Sequence, residues 1–208
     1  MDTSAASSRA GVDVAQFIAY KALNSVFLGL SIGTVFILYT PLSPKIFSAG
    51  GIGLALATLV IASQYQRLFT VDWFYRSSLL VELIILSGIV GVLIYPVETP
   101  LALFIYIGYQ ITFAFGSYLV RCETLLLGEH KKLATLDAAK QAGYLLGMAL
   151  SWGIYELLEQ RFGIQEQVTQ VVWVHWPLLL VQLGTIALLL WAFRHREGQR
   201  VLSAGAVN

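Results

Sequence analysis

Residues 74–95 read FYRSSLLVELIILSGIVGVLIY, an apolar run with one acid, Glu82, well inside it. A helix rises ~1.5 Å per residue, so a run of this length crosses a hydrocarbon core of ~30 Å. Five further runs have the same character: Phe17–Thr40, Ile46–Gln64, Leu101–Val120, Ala138–Leu158 and Trp173–Phe193. The sequence therefore predicts an all-α, polytopic membrane protein with six transmembrane helices in one bundle.

The composition supports a membrane protein and argues against several other classes. The chain is 57% hydrophobic and 12% charged, whereas soluble domains carry about 25% charged residues. The sequence predicts a transmembrane domain over 17–196, a cytoplasmic segment over 1–16, a tail over 197–208, and lipid as the surrounding partner. It contains no phosphate-binding glycine loop or hydrolase elbow, and it has one cysteine. We therefore expect no catalysis, metal, cofactor or nucleic-acid partner.

The distribution of basic residues predicts the orientation of the chain. Of the 13 Lys and Arg residues, all but Lys45 and Arg161 fall on one side of the predicted spans. Cytoplasmic loops are enriched in Lys and Arg, so both termini are expected in the cytoplasm, as in a multi-pass protein of the bacterial inner membrane. The longest cytoplasmic connection is predicted over Arg121–Lys140.

A polar stripe follows the fourth apolar run. Tyr106, Gln110, Ser117 and Arg121 fall within about 60° of one another on a helix. Lipid offers such groups no hydrogen bonds, so the stripe should face a water-filled cavity or other helices, and both interpretations stay open. The first run has a similar polar face, with Asn24 and Ser31 as its candidate cavity residues.

Glu82 is the leading candidate for a functional side chain. A charge at this depth costs several kcal/mol unless it is protonated or paired. It is interpreted either as a proton- or cation-coupling carboxylate of a transporter, or as a structural acid that is neutral or paired with Arg121 or Lys21. The test is Glu82→Gln: unchanged transport with lost stability would leave only the structural role.

Two further patterns concern helix packing and charge. Gly29 and Gly33, and likewise Gly143 and Gly147, have the spacing that lets helix backbones approach closely. Charged residues also flank the predicted cytoplasmic connection. They are expected to form an ion-pair cluster or a solvated face: Arg121, Glu123, Asp137 and Lys140.

The predicted architecture resembles one six-helix half of a major facilitator superfamily transporter. The likeness covers about 17–196 and rests on six spans, both ends inside, and polar faces on the first and fourth helices. The connection over 64–76 reads QYQRLFTVDWFYR, with the family's basic residues as Arg67 and Arg76 but without its glycine. Arg121 is the candidate for the arginine that the family often has in its fourth helix.

The resemblance implies a half-size permease for a small solute that works by alternating access. A complete transporter of this family has two halves, so it also implies a homodimer, a second six-helix partner chain, or a half that no longer transports. Glu82 and Arg121 would couple ions or bind a charged solute, and Asn24, Ser31, Tyr106, Gln110 and Ser117 would line the cavity. The alternative is a non-transporting accessory or assembly subunit of a membrane complex, and a membrane enzyme is a third interpretation.

Overall fold

The computed structural model of the chain describes residues 11–196 and 202, which contain seven helices and no strand. The helices are α1 (Val14–Leu38), α2 (Pro44–Ser63), α3 (Tyr65–Leu68), α4 (Val71–Ile94), α5 (Thr99–Leu127), α6 (His130–Phe162) and α7 (Gln167–Ala192). The all-α prediction is confirmed for this part of the chain. The terminal segments 1–10, 197–201 and 203–208 lie outside the described residues. They include Arg9 and Arg200, two of the basic residues from which the orientation was predicted.

Local capping signals set several helix ends. The Asp13 carboxylate accepts hydrogen bonds from the N–H groups of Ala15 and Gln16, at 3.0 and 3.2 Å, and so caps α1. Pro44 and Pro100 lie in the first turns of α2 and α5, where a missing N–H costs nothing. α5 and α6 end at Gly128 and Gly163, both left-handed with φ of 63° and 65°.

Five of the helices (α1, α2, α4, α5 and α7) are long and apolar enough to cross a membrane, which indicates a multi-pass membrane protein. Each of them overlaps a run predicted from the sequence. The remaining run, Ala138–Leu158, lies within α6. This helix is the longest, at 33 residues, but it does not belong to these five. The polar side chains of Gln141, Tyr144 and Glu156 make this stretch less apolar than the others.

The predicted long connection over Arg121–Lys140 is wrong. α5 continues to Leu127 and α6 begins at His130, so only two residues separate the helices. The charged residues in this region alternate with leucines at helical spacing, and Leu126, Leu127 and Leu136 are buried. Amphipathic turns can extend a membrane helix beyond the apolar core, and hydropathy alone does not detect them.

The helices pack so that each one in the first half of the chain meets a partner from the second half. α1 packs mainly on α6 and also on α7, α2 packs on α5, and α4 packs on both α5 and α7. If α1 is exchanged with α5, α2 with α6 and α4 with α7, the same set of helix pairs results. The two halves of the chain are therefore interleaved, and neither forms a separate bundle.

The glycines of α1 and α6 let the backbones of these two helices approach closely. A Cβ atom at Gly147 would collide with the Val26 carbonyl oxygen, and one at Gly29 would collide with the Tyr144 carbonyl oxygen. Gly143 lies in the same way against the Ala22 carbonyl. Gly29, Gly143 and Gly147 thus lie against the backbone of the other helix, where only residues without a side chain permit this separation, whereas Gly33 lies against the Tyr155 side chain.

Aromatic side chains fill the core where α1, α4 and α7 begin or end. The rings of Phe17, Phe74 and Phe193 lie 5.7 to 5.9 Å apart in edge-on arrangements, and all three are buried. This cluster is adjacent to Tyr20, whose ring centroid is 5.9 Å from that of Phe17. The aromatic core therefore fixes the start of α1 against α4, which positions the polar side chains on the next turns.

Candidate functional site

Glu82 is enclosed where α1, α4 and α7 meet, with 1% of its surface exposed. Its Oε1 accepts hydrogen bonds from the Tyr20 hydroxyl at 2.7 Å and the Asn24 amide at 3.1 Å. Its Oε2 accepts a hydrogen bond from the Gln182 amide at 2.8 Å. Three uncharged donors from two other helices therefore hold this carboxyl group.

The orientation of the Gln182 amide follows from its two acceptors. Its Nε2 donates to the Glu82 side chain and also to the Glu82 backbone carbonyl, at 2.9 Å. Only the NH₂ end can make both bonds, because a carbonyl oxygen is never a donor. The Gln182 Oε1 atom is then buried with no partner among the described residues. Gln182 thus fixes Glu82 to α7 through backbone and side chain together.

Glu82 forms no salt bridge within residues 11–196 and 202, so the predicted pairing with Arg121 or Lys21 is not observed. The Lys21 ammonium group instead lies 2.6 Å from the Glu123 carboxylate. Lys21 follows Tyr20 directly, and consecutive side chains on a helix point about 100° apart. Since Tyr20 faces Glu82, its neighbour Lys21 faces α5 instead.

Glu123 lies at the centre of a second buried polar cluster. Besides Lys21, its carboxylate binds the Lys140 ammonium group at 3.2 Å, and the two lysines come from α1 and α6. The predicted pair of Glu123 and Lys140 is therefore present. Asp137 is exposed and takes part in no salt bridge of the described residues. The second cation of the cluster is Lys21, whereas Arg121 was predicted.

The predicted stripe on α5 does not face a single environment. Tyr106 is buried and donates a hydrogen bond to the Phe47 carbonyl of α2 at 3.2 Å. Gln110 is half-buried, and Ser117 and Arg121 are exposed. The Arg121 guanidinium group lies 5.9 Å from the centroid of the Tyr65 ring, on α3. The stripe thus begins against α2 and continues onto the outside of the helix bundle.

A cavity of about 180 Å³ lies between α1, α4, α5 and α7, on the far side of Glu82 from the aromatic core. Of the predicted cavity residues, Ser31 lines it, whereas Asn24, Tyr106, Gln110 and Ser117 do not. Among the described residues, no charged side chain lines it. In the described ranges, no three His, Cys, Asp or Glu side chains converge in a way that could hold a metal ion.

Gln182 and His175 were not among the predicted site residues. Both are polar residues in an apolar run, the same signal that identified Glu82. His175 lies at the edge of the predicted run Trp173–Phe193, but α7 begins at Gln167 and places it two turns inside the helix. A search for every polar residue within the apolar runs would have found both.

No protein-family model, curated protein or solved structure matches this chain.

Proposed function

We propose that the chain is a half-size, facilitator-like permease for a small solute, acting as a homodimer by alternating access. The observation that carries the proposal is the polar face of α5 on the outside of the unit. Gln110 lies near the middle of a helix that is apolar enough to cross a membrane, and lipid provides no partner for its amide. A second copy, with water between the two, would satisfy Gln110 and Ser117.

In this proposal the bundle has six spans, with both termini in the cytoplasm of a bacterial cell. α6 is the span that completes the six, beside the five helices that are apolar enough to cross a membrane. Its glycines at 143 and 147 lie against Ala22 and Val26 of α1, so α6 runs beside the middle of a helix that itself crosses the bilayer. Its 33 residues measure about 50 Å, which leaves room for charged turns beyond the apolar core.

The interleaved pairing of helices supports the resemblance to one half of a facilitator. Halves of that family contain two inverted three-helix repeats. Here the exchange of the first and last three long helices preserves the pairs α1 with α6, α2 with α5, and α4 with α7. Three spans per repeat give the two repeats opposite orientation in the membrane.

Glu82 is the group to which we assign proton coupling. Its three hydrogen-bond donors are uncharged, and a carboxylate has about four lone-pair sites, so one site remains for a proton. Arg121 is the second candidate, for a charged solute, because its guanidinium group is exposed and pairs with no acid of the described residues.

The proposal is tested by the water accessibility of α5. In a Cys122→Ala background, which removes the single cysteine, Gln110→Cys and Ser117→Cys are treated with a membrane-impermeant maleimide in sealed vesicles of each orientation. Alternating access predicts that Gln110→Cys reacts from both sides. The matched control is Leu180→Cys, in the middle of α7 and 72% exposed, which should not react because it faces lipid.

The oligomeric state completes this test. Light scattering in detergent should give the mass of a dimer. A monomer in which Gln110→Cys is protected from both sides would overturn the proposal. The alternative, an accessory subunit, has one observation in its favour: α2 contains no buried residue and packs mainly on α5. A stable complex with a different chain that covers α2 and protects Gln110→Cys would favour that function.

A further inference from the structure

The hydrogen-bonding character of the cavity between α1, α4, α5 and α7 follows from its polar side chains. The polar residues that line it are uncharged, namely Ser31, Thr34, Ser87, Tyr109, Thr112 and His175. The remaining lining residues are apolar. The chemistry that the cavity offers a ligand depends on which of these groups still have a free hydrogen or lone pair.

The hydrogens of the four Ser and Thr hydroxyls are already used in hydrogen bonds to backbone carbonyls. Thr34 donates to the Ser31 carbonyl at 2.7 Å, Thr112 donates to the Tyr109 carbonyl at 2.8 Å, and Ser87 donates to the Ile84 carbonyl at 2.7 Å. The Ser31 hydroxyl likewise donates to the Leu28 carbonyl, at 3.1 Å. Each of these oxygens therefore presents only lone pairs to the cavity. The Tyr109 hydroxyl lies beside Ser31 and can donate to its oxygen.

His175 adds an acceptor of a different kind. It is 4% exposed, and its Nδ1 lies 2.7 Å from the Val171 carbonyl oxygen. A carbonyl can only accept, so Nδ1 carries the hydrogen, and the Nε2 atom of the neutral ring is left as an acceptor. No acid lines the cavity that could hold the ring in its charged form. The cavity thus combines an apolar wall with hydrogen-bond acceptors.

Size and access limit the ligand further. The volume of about 180 Å³ is close to that of an engineered protein cavity of ~150 Å³ that binds benzene. The lining residues Phe104, Ile107 and Ile111 are exposed, so the cavity opens on the apolar outside of the bundle. A ligand can therefore enter from the membrane, which favours an uncharged molecule.

We propose that this cavity binds small, uncharged molecules with an apolar body and one hydrogen-bond donor, the class of which phenol is the simplest aromatic member. The class follows from the match between acceptor lone pairs and a donating O–H. If this ligand class is also the class of transported solute, that conclusion rests on the proposed permease function. Binding of such a ligand to the cavity is tested without any transport measurement.

The test compares phenol with anisole, in which a methyl ether replaces the donor. Calorimetric titration of the protein in lipid nanodiscs, corrected with empty nanodiscs, should show saturable binding of phenol about 10-fold tighter than that of anisole, as one buried hydrogen bond supplies. Equal affinities, or no saturable binding of phenol, would overturn the inference. Neither result changes the labelling expected of Gln110→Cys, so the two proposals fail separately.

Substitutions of lining residues test whether phenol binds in this cavity. His175→Phe and Thr112→Val each remove an acceptor with little change of shape, and at least one should reduce the preference for phenol over anisole. The matched control is Thr185→Val, a buried threonine of α7 that does not line the cavity and should leave the preference unchanged. Gly88→Leu should abolish binding of both ligands, because a Cβ atom at Gly88 meets only Ile105, at 3.9 Å, and the added side chain would fill the space. Unchanged phenol binding in Gly88→Leu would overturn the assignment to this cavity.

Discussion

Glu82 and Glu123 are both buried carboxylates in the same bundle, but they have opposite kinds of partner. Glu123 binds two ammonium groups, those of Lys21 and Lys140. Glu82 accepts hydrogen bonds only from uncharged groups, led by the Tyr20 hydroxyl at 2.7 Å. A carboxylate between two lysines is fixed as an anion, whereas neutral donors leave room for a proton. Burial alone therefore does not define a functional acid, because the hydrogen-bonding partners of the acid decide what it can do.

Both acids also connect helices, and each joins at least one pair that has few other contacts. α5 has few contacts with α6, and Glu123 joins it to both α1 and α6 through the two lysines. Glu82 joins α4 to α1 and α7. The two clusters therefore share a structural role, and the charge of the partners is what separates them.

The largest effect is expected from Glu123→Ala. It leaves Lys21 and Lys140 without a counter-charge, and Lys21 is only 8% exposed. Removing one partner of a buried ion pair strands the other, so the free energy of unfolding should fall by about 3 kcal/mol. Unfolding in mixed detergent micelles measures it. Asp137→Ala is the control, because Asp137 is exposed on the neighbouring helix, and it should change stability by less than about 0.5 kcal/mol.

A smaller effect is expected from Glu82→Gln. The new amide keeps its acceptor toward Tyr20 and Asn24, but its NH₂ group then faces that of Gln182. One hydrogen bond is lost and no charge is stranded, so unfolding should become easier by about 1–2 kcal/mol. The same micelle titration applies, with Glu98→Gln, an exposed acid, as the control. A loss of unfolding free energy as large as that of Glu123→Ala would contradict the difference between the two acids, because Glu82 would then be as strongly paired as Glu123.

The smallest effect is expected from Tyr20→Phe, which removes one of the three donors to Glu82. The other two remain, so the loss should be about 1 kcal/mol. Tyr155→Phe is a matched control, because the Tyr155 hydroxyl is buried with no partner among the described residues. Its removal should be neutral or stabilising in the same titration. If the two variants behaved alike, the hydrogen bond to Glu82 would contribute nothing measurable.

The sequence predicted the helices better than the site. All six apolar runs coincide with helices, and the glycine spacings of α1 and α6 correctly marked close packing, because both signals come from residues near one another in the chain. The ends of α5 and α6 were missed, since their amphipathic turns are not apolar. For the site, Glu82 was identified as a deep acid, but the two cations considered as its partners, Arg121 and Lys21, form no salt bridge with it, and its three neutral donors were not predicted.

The partners could not be predicted from spacing. Gln182 bonds to Glu82 across 100 residues of chain, and which of two adjacent side chains, Tyr20 or Lys21, reaches α4 depends on the rotation of α1. The same holds for the acceptor-lined cavity, whose walls come from four helices.

By itself, the sequence determined that this chain folds into long apolar helices and carries one acid deep among them. Length and hydropathy are properties of a continuous segment, so no distant residue is needed to establish them. Only the tertiary structure decided that Glu82 meets neutral donors, that Glu123 meets two lysines, and that the α5 stripe reaches the outside of the unit. These features depend on helix order and rotation, which arise from packing between segments far apart in the chain.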